Sequence, residues 1–241
     1  MQVHESSRFK LYCADALVVL PLVTPKTVGL ISGDPPYGKK WQSGRRTKAF
    51  DAIANDDGTF DALGLIGAYV RTVLMPHRHV YVFGNPYETI RESLALGGGC
   101  DLVWDKGMAG SGDLTSVWGP QHETIGFGVY VPSKVNREKG NGNLVARMRR
   151  GSVLRVQRPN GVGVTKHPTE KPVALMRQIV ESSTVIDDIV LDMFAGSGST
   201  LVAAILSGRK AIGIELDPAY YALTLERCIR AEALWKQIEQ V

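Results

Sequence analysis

The segment Ile189-Val-Leu-Asp-Met-Phe-Ala-Gly-Ser-Gly-Ser-Thr200 decides the fold of this 241-residue chain. Its first six residues are an apolar run typical of a buried parallel strand, and Ala195 to Thr200 form a tight glycine-rich turn. A helix is predicted from Leu201 to Ser207, closed by Gly208, and Lys210 to Glu215 is predicted as the next strand. Strand, glycine turn, helix and strand in this order indicate a βαβ unit of an α/β fold.

The glycine turn has the form of a nucleotide-binding loop. Gly196 and Gly198 allow a ligand to approach the backbone closely, and the N-terminus of the next helix offers free N–H groups. Glu215 stands where an acid accepts hydrogen bonds from ribose hydroxyls. A dinucleotide and S-adenosylmethionine both fit this pattern. Leu201 occupies the place of the third glycine of the dinucleotide fingerprint, which favours a ligand other than NAD.

A second informative stretch is Asp34-Pro-Pro-Tyr37, which follows the apolar run Thr27 to Gly33. Two successive prolines lack N–H donors and must end the predicted strand. Each proline holds the residue before it extended, so the carbonyls of Asp34 and Pro35 and the Asp34 carboxylate form a fixed row of acceptors. Tyr37 adds an aromatic face. This combination predicts a planar substrate with an exocyclic amine, such as adenine or cytosine. The alternative is an ordinary turn at a strand end.

Two other patterns carry no function. Gly33 to Lys39 has most of the spacing of a phosphate-binding P-loop, but Lys40 stands where a Ser or Thr should bind magnesium. The two prolines also remove N–H groups that a phosphate cradle requires. His77 and His79 have no thiol or carboxylate near them in the sequence, so no metal site is predicted.

The basic residues are concentrated in two segments of the chain. The formal net charge is +4, yet nine basic residues stand against one acid between Val131 and Lys166. Between Lys39 and Lys48 there are five basic residues and no acid. An acidic body with two basic segments predicts a partner with many phosphates, namely a nucleic acid. The alternative is a solvated surface loop. Lys39 to Asp57 also has the composition of a mobile flap.

Composition predicts a soluble, cytoplasmic protein of one domain, residues 1–241, with the basic segment 131–166 as an insertion. Neither an apolar signal core at the start nor a long apolar run later in the chain indicates a membrane segment. The three cysteines, Cys13, Cys100 and Cys228, are far apart and odd in number, so they are predicted to be reduced core thiols.

The remaining periodicity predicts further strands and helices. Strands are predicted at Phe9 to Tyr12, His79 to Gly84, Asp101 to Asp105 and Glu123 to Tyr130. Helices are predicted at Ala14 to Leu22, at Asp61 to Met75, from Pro86 to about Leu96, from Pro172, and from Asp217-Pro218 almost to the C-terminus. Up to about residue 97 strands alternate with helices, which indicates parallel βαβ units.

Three motifs in one order resemble the amino-group DNA methyltransferases of the permuted, or beta, class. Asp34-Pro-Pro-Tyr37 resembles their catalytic motif, His167-Pro-Thr-Glu-Lys-Pro172 a motif beside the cofactor, and Asp192-Met-Phe-Ala-Gly-Ser-Gly198 their cofactor motif. Trp104-Asp-Lys106 and His122-Glu123 resemble less strict central motifs. The catalytic motif comes first, the basic segment next and the cofactor motif last, which is the order typical of that class.

The resemblance implies a Rossmann-like methyltransferase fold, with a mostly parallel twisted sheet flanked by helices and a circularly permuted motif order. It implies S-adenosylmethionine as cofactor, double-stranded DNA as substrate and the basic segment 131–166 as the target-recognition region. The implied catalytic residues are Asp34, Pro35, Pro36 and Tyr37. The implied cofactor residues are Asp15, His167, Thr169, Lys171, Asp192, Phe194, Ala195, Gly196, Ser197, Gly198, Ser199, Thr200, Glu215 and Leu216. The implied DNA contacts are Lys39, Lys40, Trp41, Arg45, Arg46, Arg147, Arg149, Arg150, Arg155 and Arg158.

In the implied reaction the target base is flipped out of the duplex and its amino group donates hydrogen bonds to Asp34 and to the carbonyl of Pro35. No covalent enzyme intermediate and no metal are required. Asp at the first motif position is associated with adenine N6 more than with cytosine N4 in that family, and cytosine N4 remains the alternative. A non-catalytic DNA-binding relative and a methyltransferase acting on RNA or glutamine are further alternatives, the latter disfavoured by Asp34 and the motif order.

The resemblance also implies a cytoplasmic enzyme encoded by a bacterium or a phage, of the kind found in restriction-modification systems, with a homodimer as a further expectation. Asp15 has a simpler reading as well, because it stands where it can cap the helix that follows it.

Overall fold

The computed structural model describes residues 1–36, 60–107, 117–138, 150–157 and 170–239. Within these ranges nine strands form one sheet. They are β1 (Gln2–Glu5), β2 (Phe9–Cys13), β3 (Val28–Gly33), β4 (Leu74–Phe83), β5 (Leu96–Asp105), β6 (His122–Tyr130), β7 (Val153–Arg155), β8 (Ile189–Asp192) and β9 (Lys210–Glu215).

Helices cover both faces of this sheet. They are α1 (Ala16–Val19), continued by a 3-10 turn at Leu20–Leu22, α2 (Ala62–Val73), α3 (Tyr87–Ile90), α4 (Lys134–Glu138), α5 (Val173–Ser183), α6 (Ser199–Leu206) and α7 (Pro218–Glu239). Buried residues of α5, α6 and α7 form one core cluster, and those of α1, α2 and α3 form a second. Successive residues of β3 serve the two faces, since Leu30 belongs to the first cluster and Ile31 to the second.

The strand order is β1-β2-β9-β8-β3-β4-β6-β5-β7. The central strands β2, β9, β8, β3 and β4 run parallel, whereas β6 is antiparallel to both of its neighbours and β1 is antiparallel to β2. The predicted α/β class with a mostly parallel, helix-flanked sheet is therefore confirmed. β3 and β8 are far apart in the chain but adjacent and parallel in the sheet. Their carboxyl ends therefore lie side by side at the same edge of the sheet.

The segment after Pro86 differs from its prediction. A helix was expected to run to about Leu96, but α3 ends at Ile90 and Leu96 already begins β5. Gly99 explains part of this, because a Cβ there would lie 2.3 Å from the Phe127 carbonyl oxygen, so only glycine fits the pairing of β5 with β6. The glycine-rich run 97–99 therefore belongs to a strand. The sequence did not indicate this strand, because the apolar residues before it have helical spacing.

The basic segment contributes to the main sheet. Val153–Arg155 forms β7, which pairs in parallel with the end of β5, and the Trp104 indole N–H donates to the carbonyl of Val156 at 2.8 Å. The described part of this segment thus includes an edge strand of the core. The single domain with residues 131–166 as a recognition insertion stays a prediction.

The cysteines differ in burial. Cys228 lies in the core, as predicted, whereas Cys13 is half-buried and Cys100 is exposed, so the expectation of a core thiol is wrong for Cys100. Cys100 lies on β5 near the edge of the sheet, where alternate residues face outward. None of the helices in the described ranges is long and apolar enough to cross a membrane.

One ion pair holds the amino ends of the central strands together. Arg78 on β4 donates to both carboxylate oxygens of Asp188, at 3.0 and 3.3 Å, and the two side chains are 15% and 10% exposed. Asp188 directly precedes β8 and also accepts the Val185 N–H at 2.9 Å. The pair therefore fixes β8 against β4 at the end of the strands opposite to their carboxyl edge.

We expect Arg78→Met to lower the free energy of unfolding by about 2–4 kcal/mol, because it leaves a largely buried carboxylate without its cation. Urea denaturation followed by circular dichroism measures this loss. A decrease below about 0.5 kcal/mol, the size typical of a surface substitution, would contradict the structural role of the pair.

Candidate active site

Two loops that are distant in sequence meet at the carboxyl edge of the sheet. Asp34 follows β3 directly, and Asp192 is the last residue of β8. The strands are paired with Ile31 opposite Leu191, so the loops leave the sheet side by side. Asp34 is half-buried, Pro35 is buried, and Asp192 is 5% exposed. The proximity of the acidic stretch and the glycine turn is thus a consequence of strand order.

The glycine turn has the backbone that its sequence predicts. Gly196 and Gly198 have positive φ angles of 52° and 79°, which favour glycine. The Gly198 N–H donates to the carbonyl of Ala195 at 2.7 Å, and α6 begins at Ser199. A Cβ on Gly198 would lie 2.6 Å from Cγ2 of Thr224, so the turn also needs glycine for lack of space.

Helix α7 braces this turn from behind. The Thr224 hydroxyl donates to the carbonyl of Gly196 at 2.7 Å, and the Arg227 guanidinium donates to the carbonyl of Ser197 at 2.6 Å. Arg227 also forms an ion pair with Glu170 at 2.8 Å. One arginine therefore connects the glycine turn to the segment that carries Glu170 and Lys171.

Glu215 closes the other side of the turn. One carboxylate oxygen accepts the Gly196 N–H at 2.7 Å and the other accepts the Asp217 N–H at 2.8 Å. Burial raises the pKa of Glu215 to about 7, against the lowering effect of these two N–H donors. Among the described residues, the groups that shift this pKa include no cation. The carboxylate is thus held beside the turn, at the end of β9, by backbone donors rather than by a positive charge.

Asp192 is a second buried acid at the same edge. It accepts the Phe194 N–H at 3.0 Å and is hydrogen-bonded to the Thr200 hydroxyl. Burial raises its pKa to about 6, and the nearby Asp34 acts in the same direction. Asp192 and Glu215 place two acidic groups beside the turn, which favours a ligand that brings positive charge or several hydroxyl donors.

The catalytic-motif carboxylate is held by a lysine that the sequence analysis placed with the cofactor. The Lys171 ammonium contacts Asp34 Oδ2 at 2.6 Å and Glu123 Oε1 at 3.2 Å, and it lies 4.9 Å from the centre of the Phe83 ring. Lys171 is only 8% exposed. Burial alone would lower the pKa of Lys171, but the carboxylates of Asp34 and Glu123 outweigh it and raise the pKa above its usual value.

The contacts extend outward to a second lysine. Lys106, which follows the last residue of β5, contacts the other Glu123 oxygen at 3.2 Å and lies 5.0 Å from the centre of the Trp104 ring. Burial would raise the pKa of Glu123, but Lys171 and Lys106 together lower it. Asp34, Lys171, Glu123 and Lys106 thus form a chain of alternating charges across the ends of β3, β6 and β5.

The other predicted cofactor residues are distributed around the turn. Ser197, Ser199 and Thr200 are buried in it, Phe194 is half-buried against Phe60, and Leu216 is exposed beside Glu215. Asp15 caps α1 by accepting the Leu17 N–H at 2.8 Å, and the neighbouring Ala14 N–H donates to the carbonyl of Glu215. Asp15 therefore serves as a helix cap next to the turn. Tyr37, His167 and Thr169 lie outside the described residues.

Two of the predicted DNA contacts can be located. Arg150 forms an ion pair with Glu181 of α5 at 3.0 Å, which ties it to the core. Arg155 on β7 is 79% exposed and lies 3.8 Å from Asp105, so it remains accessible at the sheet edge. Lys39, Lys40, Trp41, Arg45, Arg46, Arg147, Arg149 and Arg158 lie outside the described residues, as does the predicted flap Lys39 to Asp57.

Sequence reasoning missed several site residues. It noted Lys106 and Glu123 within weak motifs but gave them no role, and it did not single out Thr224 or Arg227. A signal for Glu123 was present, since a charged residue at the start of an apolar strand is either exposed or paired. Thr224 and Arg227 gave no signal, because a polar residue on a long helix is usually a solvated one.

In the part of the chain that the structure describes, no three His, Cys, Asp or Glu side chains converge as metal ligands.

Comparison with known proteins agrees with this geometry. Residues 113–226 match the family model of N6/N4 DNA methylases. The chain is 29% identical over 249 aligned residues to the DNA adenine methyltransferase YhdJ of Escherichia coli (strain K12), covering 88% of this chain and 80% of that protein.

Two solved structures share the fold. The M1.HpyAVI complex with SAM superposes with a TM-score of 0.67 at 22% identity and covers 91% of this chain and 98% of that one. The PvuII DNA methyltransferase, which is cytosine-N4-specific, superposes with a TM-score of 0.69 at 17% identity and covers 97% of this chain and 93% of that one. The chain therefore matches the DNA methylase family model over residues 113–226, is similar to a DNA adenine methyltransferase over most of its length, and shares its fold with two solved DNA methyltransferases.

Proposed function

We propose that this protein is a DNA methyltransferase that transfers a methyl group from S-adenosylmethionine to the exocyclic N6 of an adenine flipped out of double-stranded DNA. The observation that carries the proposal is the contiguity of the two loops: Asp34-Pro35-Pro36 ends β3 and the Asp192 to Gly198 turn ends β8, on adjacent parallel strands. An amine-accepting stretch and a nucleotide turn at one edge allow both substrates to be held within bonding distance.

The residues present fit the cofactor. The glycine turn leaves no space for a side chain at Gly198, and the α6 N-terminus is buried beside it. Glu215 would accept hydrogen bonds from the ribose hydroxyls, as acids at the end of this strand do in nucleotide folds. Asp192 would face the ammonium group of the amino acid end, and backbone N–H groups of the turn would suit its carboxylate. When bound, S-adenosylmethionine supplies an electrophilic methyl group on a sulfonium centre.

The chain's own residues supply orientation and charge. The Asp34 carboxylate and the Pro35 carbonyl would accept the two amino hydrogens of the target base, which fixes the direction of the nitrogen lone pair. As nitrogen becomes positive during transfer, the nearby carboxylate stabilises it, and preorganised groups do this without reorganisation cost. Tyr37 would stack on the base. No nucleophilic residue is needed, in agreement with the position of the three cysteines outside these loops.

The exposed basic residue Arg155 and the two basic segments of the sequence support DNA as the polymer, since phosphate contacts dominate such affinity. Adenine is favoured over cytosine by Asp at position 34 and by the likeness to an adenine methyltransferase over most of the chain. Cytosine N4 is the second candidate, supported by the structural likeness to a DNA methyltransferase that is cytosine-N4-specific.

The proposal is tested by incubating the purified protein with methyl-labelled S-adenosylmethionine and, in parallel, duplex DNA, RNA or protein. We expect label in duplex DNA alone. Label in RNA or protein but not DNA would overturn the proposed substrate, and binding of duplex DNA without any transfer would indicate a non-catalytic DNA-binding relative.

We expect cofactor affinity to depend on pH through Glu215. The pKa of Glu215 is about 7 in the cofactor-free protein. Below pH 7 this side chain must therefore lose a proton before the cofactor can bind to its carboxylate form. Affinity should therefore rise with pH below 7, by at most about tenfold per unit, and level off above it. The stability of the cofactor-free protein depends on pH in the opposite direction. Because the pKa of Glu215 in the folded protein lies above its usual value of 4.5, its contribution to stability falls as pH rises from about 4.5 to about 7.

Isothermal titration at pH 6, 7 and 8 measures this dependence, and Glu215→Gln is its control. The variant should bind more weakly and should lose the Glu215 part of the pH dependence. An unchanged pH profile in Glu215→Gln would show that the titrating group lies elsewhere.

A further inference from the structure

The ammonium of Lys171 lies at the centre of the site rather than at its rim. It contacts the catalytic-motif carboxylate of Asp34 at 2.6 Å and Glu123 at 3.2 Å, so both carboxylates lie within about 6 Å of each other around one cation. A lysine buried to this degree is rare unless it is paired. The contact with Asp34 joins two residues 137 positions apart, from the two motifs on either side of the basic segment.

We propose that Lys171 is a positioning residue for methyl transfer, which holds the Asp34 carboxylate in its acceptor orientation, and that Glu123 in turn holds Lys171. This inference rests on the proposed function and deepens it, because it assigns Lys171 to the target amine rather than to the cofactor. Glu123 and Lys106 act through Lys171 and are not catalytic residues themselves.

Asp34 needs a positioning residue because its side chain is free to rotate. A half-buried carboxylate on a loop end can rotate about χ1 and χ2, whereas the target amine needs it in one orientation. A charge-assisted hydrogen bond from a buried ammonium fixes one oxygen, and the Phe83 ring packs against the ammonium. Glu123 supplies the second carboxylate contact of the lysine, and Lys106 balances the extra negative charge.

The site also contains three carboxylates close together, which makes the cation electrostatically necessary. Asp34 comes from the β3 end, Glu123 from β6 and Asp192 from β8. Among the described residues the cations beside them are Lys171 and Lys106, and Glu215 is a further acid beside Asp192. Without Lys171, Asp34 and Glu123 would repel each other, Asp34 would lose the contact that fixes its orientation, and the pKa of Glu123, which Lys171 lowers, would rise.

The test compares Lys171→Met, Lys171→Arg and the double variant Glu123→Gln/Lys171→Met with the wild type. The readouts are single-turnover methyl transfer to duplex DNA, S-adenosylmethionine affinity, thermal stability and the pH profile of the rate. Arg78→Met is the matched control, because it breaks another largely buried ion pair at the opposite end of the same strands. It should lose stability but keep its single-turnover rate.

We expect Lys171→Met to lower the rate roughly 10²-fold while cofactor affinity is unchanged, since misplacement by about 1 Å has effects of this size. The acid limb of its pH profile should move to higher pH, because Glu123 loses a nearby cation that lowers its pKa. Lys171→Arg should restore part of the rate, because it retains the cation. The double variant should return the acid limb toward its wild-type position, because only one of the two carboxylates remains.

Four outcomes separate the possibilities. A wild-type rate in Lys171→Met would overturn the inference, and so would a loss that appears wholly as weaker cofactor binding, which would make Lys171 a cofactor ligand. An unmoved acid limb would show that the lysine acts through packing alone. A wild type that transfers no methyl group to DNA would instead overturn the proposed function. If Lys171→Met fails to fold, Lys171→Arg and Glu123→Gln carry the same comparison of rate, affinity and pH profile.

Discussion

Replacing Asp34 with alanine is expected to reduce methyl transfer to DNA by at least about 10³-fold. The substitution removes the acceptor that orients the target amine and the charge that stabilises the developing ammonium, and each effect alone is of the order of 10²-fold or more. Cofactor affinity should remain close to that of the wild type, because the hydrogen bonds that shape the glycine turn come from Glu215, Thr224 and Arg227.

The measurement is single-turnover transfer at saturating DNA and cofactor, with cofactor affinity from calorimetry. Asp34→Asn is the matched variant, since it keeps the shape of the side chain but replaces one acceptor oxygen by an N–H donor. It should be nearly as inactive as the alanine variant. Methylation of DNA by Asp34→Ala at a rate within tenfold of the wild type would refute the catalytic assignment of this stretch.

The second large effect is expected from Gly198→Ala. The residue has φ of 79°, where an L-residue costs roughly 1–2 kcal/mol, and its new Cβ would lie 2.6 Å from Thr224 Cγ2. The turn must move to relieve this contact, which adds an overpacking cost of about 1–3 kcal/mol. We expect a loss of stability of about 2–4 kcal/mol and a loss of cofactor affinity of roughly 10 to 100-fold, because the displaced turn no longer matches the ligand.

Two comparisons isolate the cause. Gly151→Ala is a control, since a Cβ there meets nothing within 4 Å, and it should leave both quantities unchanged. Thr224→Ser removes the methyl group that the new Cβ at position 198 would strike but retains the hydroxyl that donates to Gly196. Combined with Gly198→Ala it should restore part of the affinity. If Gly198→Ala binds the cofactor as tightly as the wild type, the turn does not shape the cofactor site.

The sequence predicts the segment from Ile189 to Glu215 well, because the residues that determine each strand, turn and helix lie within the segment itself. An apolar run, two glycines and a second apolar run follow each other within 27 residues, and the observed elements differ from the predicted ones by only one or two residues at the ends of β8 and α6. The end of β3 is equally local, because two prolines stop any strand.

The contact between Lys171 and Asp34 could not be predicted in the same way. Its two residues are separated by 137 positions, and only the pairing of β3 with β8 brings their segments together. The strand predicted at Asp101 to Asp105 is confirmed, but the helix predicted from Pro86 to about Leu96 is too long, for a different reason. The apolar spacing after Pro86 fits a helix, but the close packing of Gly99 against the Phe127 carbonyl and the Tyr87 ring selects a strand, which is a tertiary effect.

The distribution of charge in the site also depends on tertiary structure. Burial raises the pKa of Asp192 and Glu215 to about 6 and about 7, while the pKa of the half-buried Glu123 is lowered by two lysines. The sequence shows where these acids stand in the chain, but it does not show their burial or the charges that surround them in the fold. The structure therefore separates two acids next to the glycine turn from a third, Glu123, which is joined to Asp34 through Lys171.

The central claim is that the amine acceptors at Asp34 and the glycine turn serve one reaction on an exocyclic amino group of DNA. The most direct measurement is mass spectrometry of nucleosides after the wild-type protein has acted on unmethylated duplex DNA with S-adenosylmethionine carrying a deuterated methyl group. We predict the deuterated methyl group on N6-methyladenine, absent when Asp34→Ala replaces the wild type. Label on N4-methylcytosine would retain the mechanism and change the base, whereas label only on carbon 5 of cytosine, or on no nucleoside, would contradict the account.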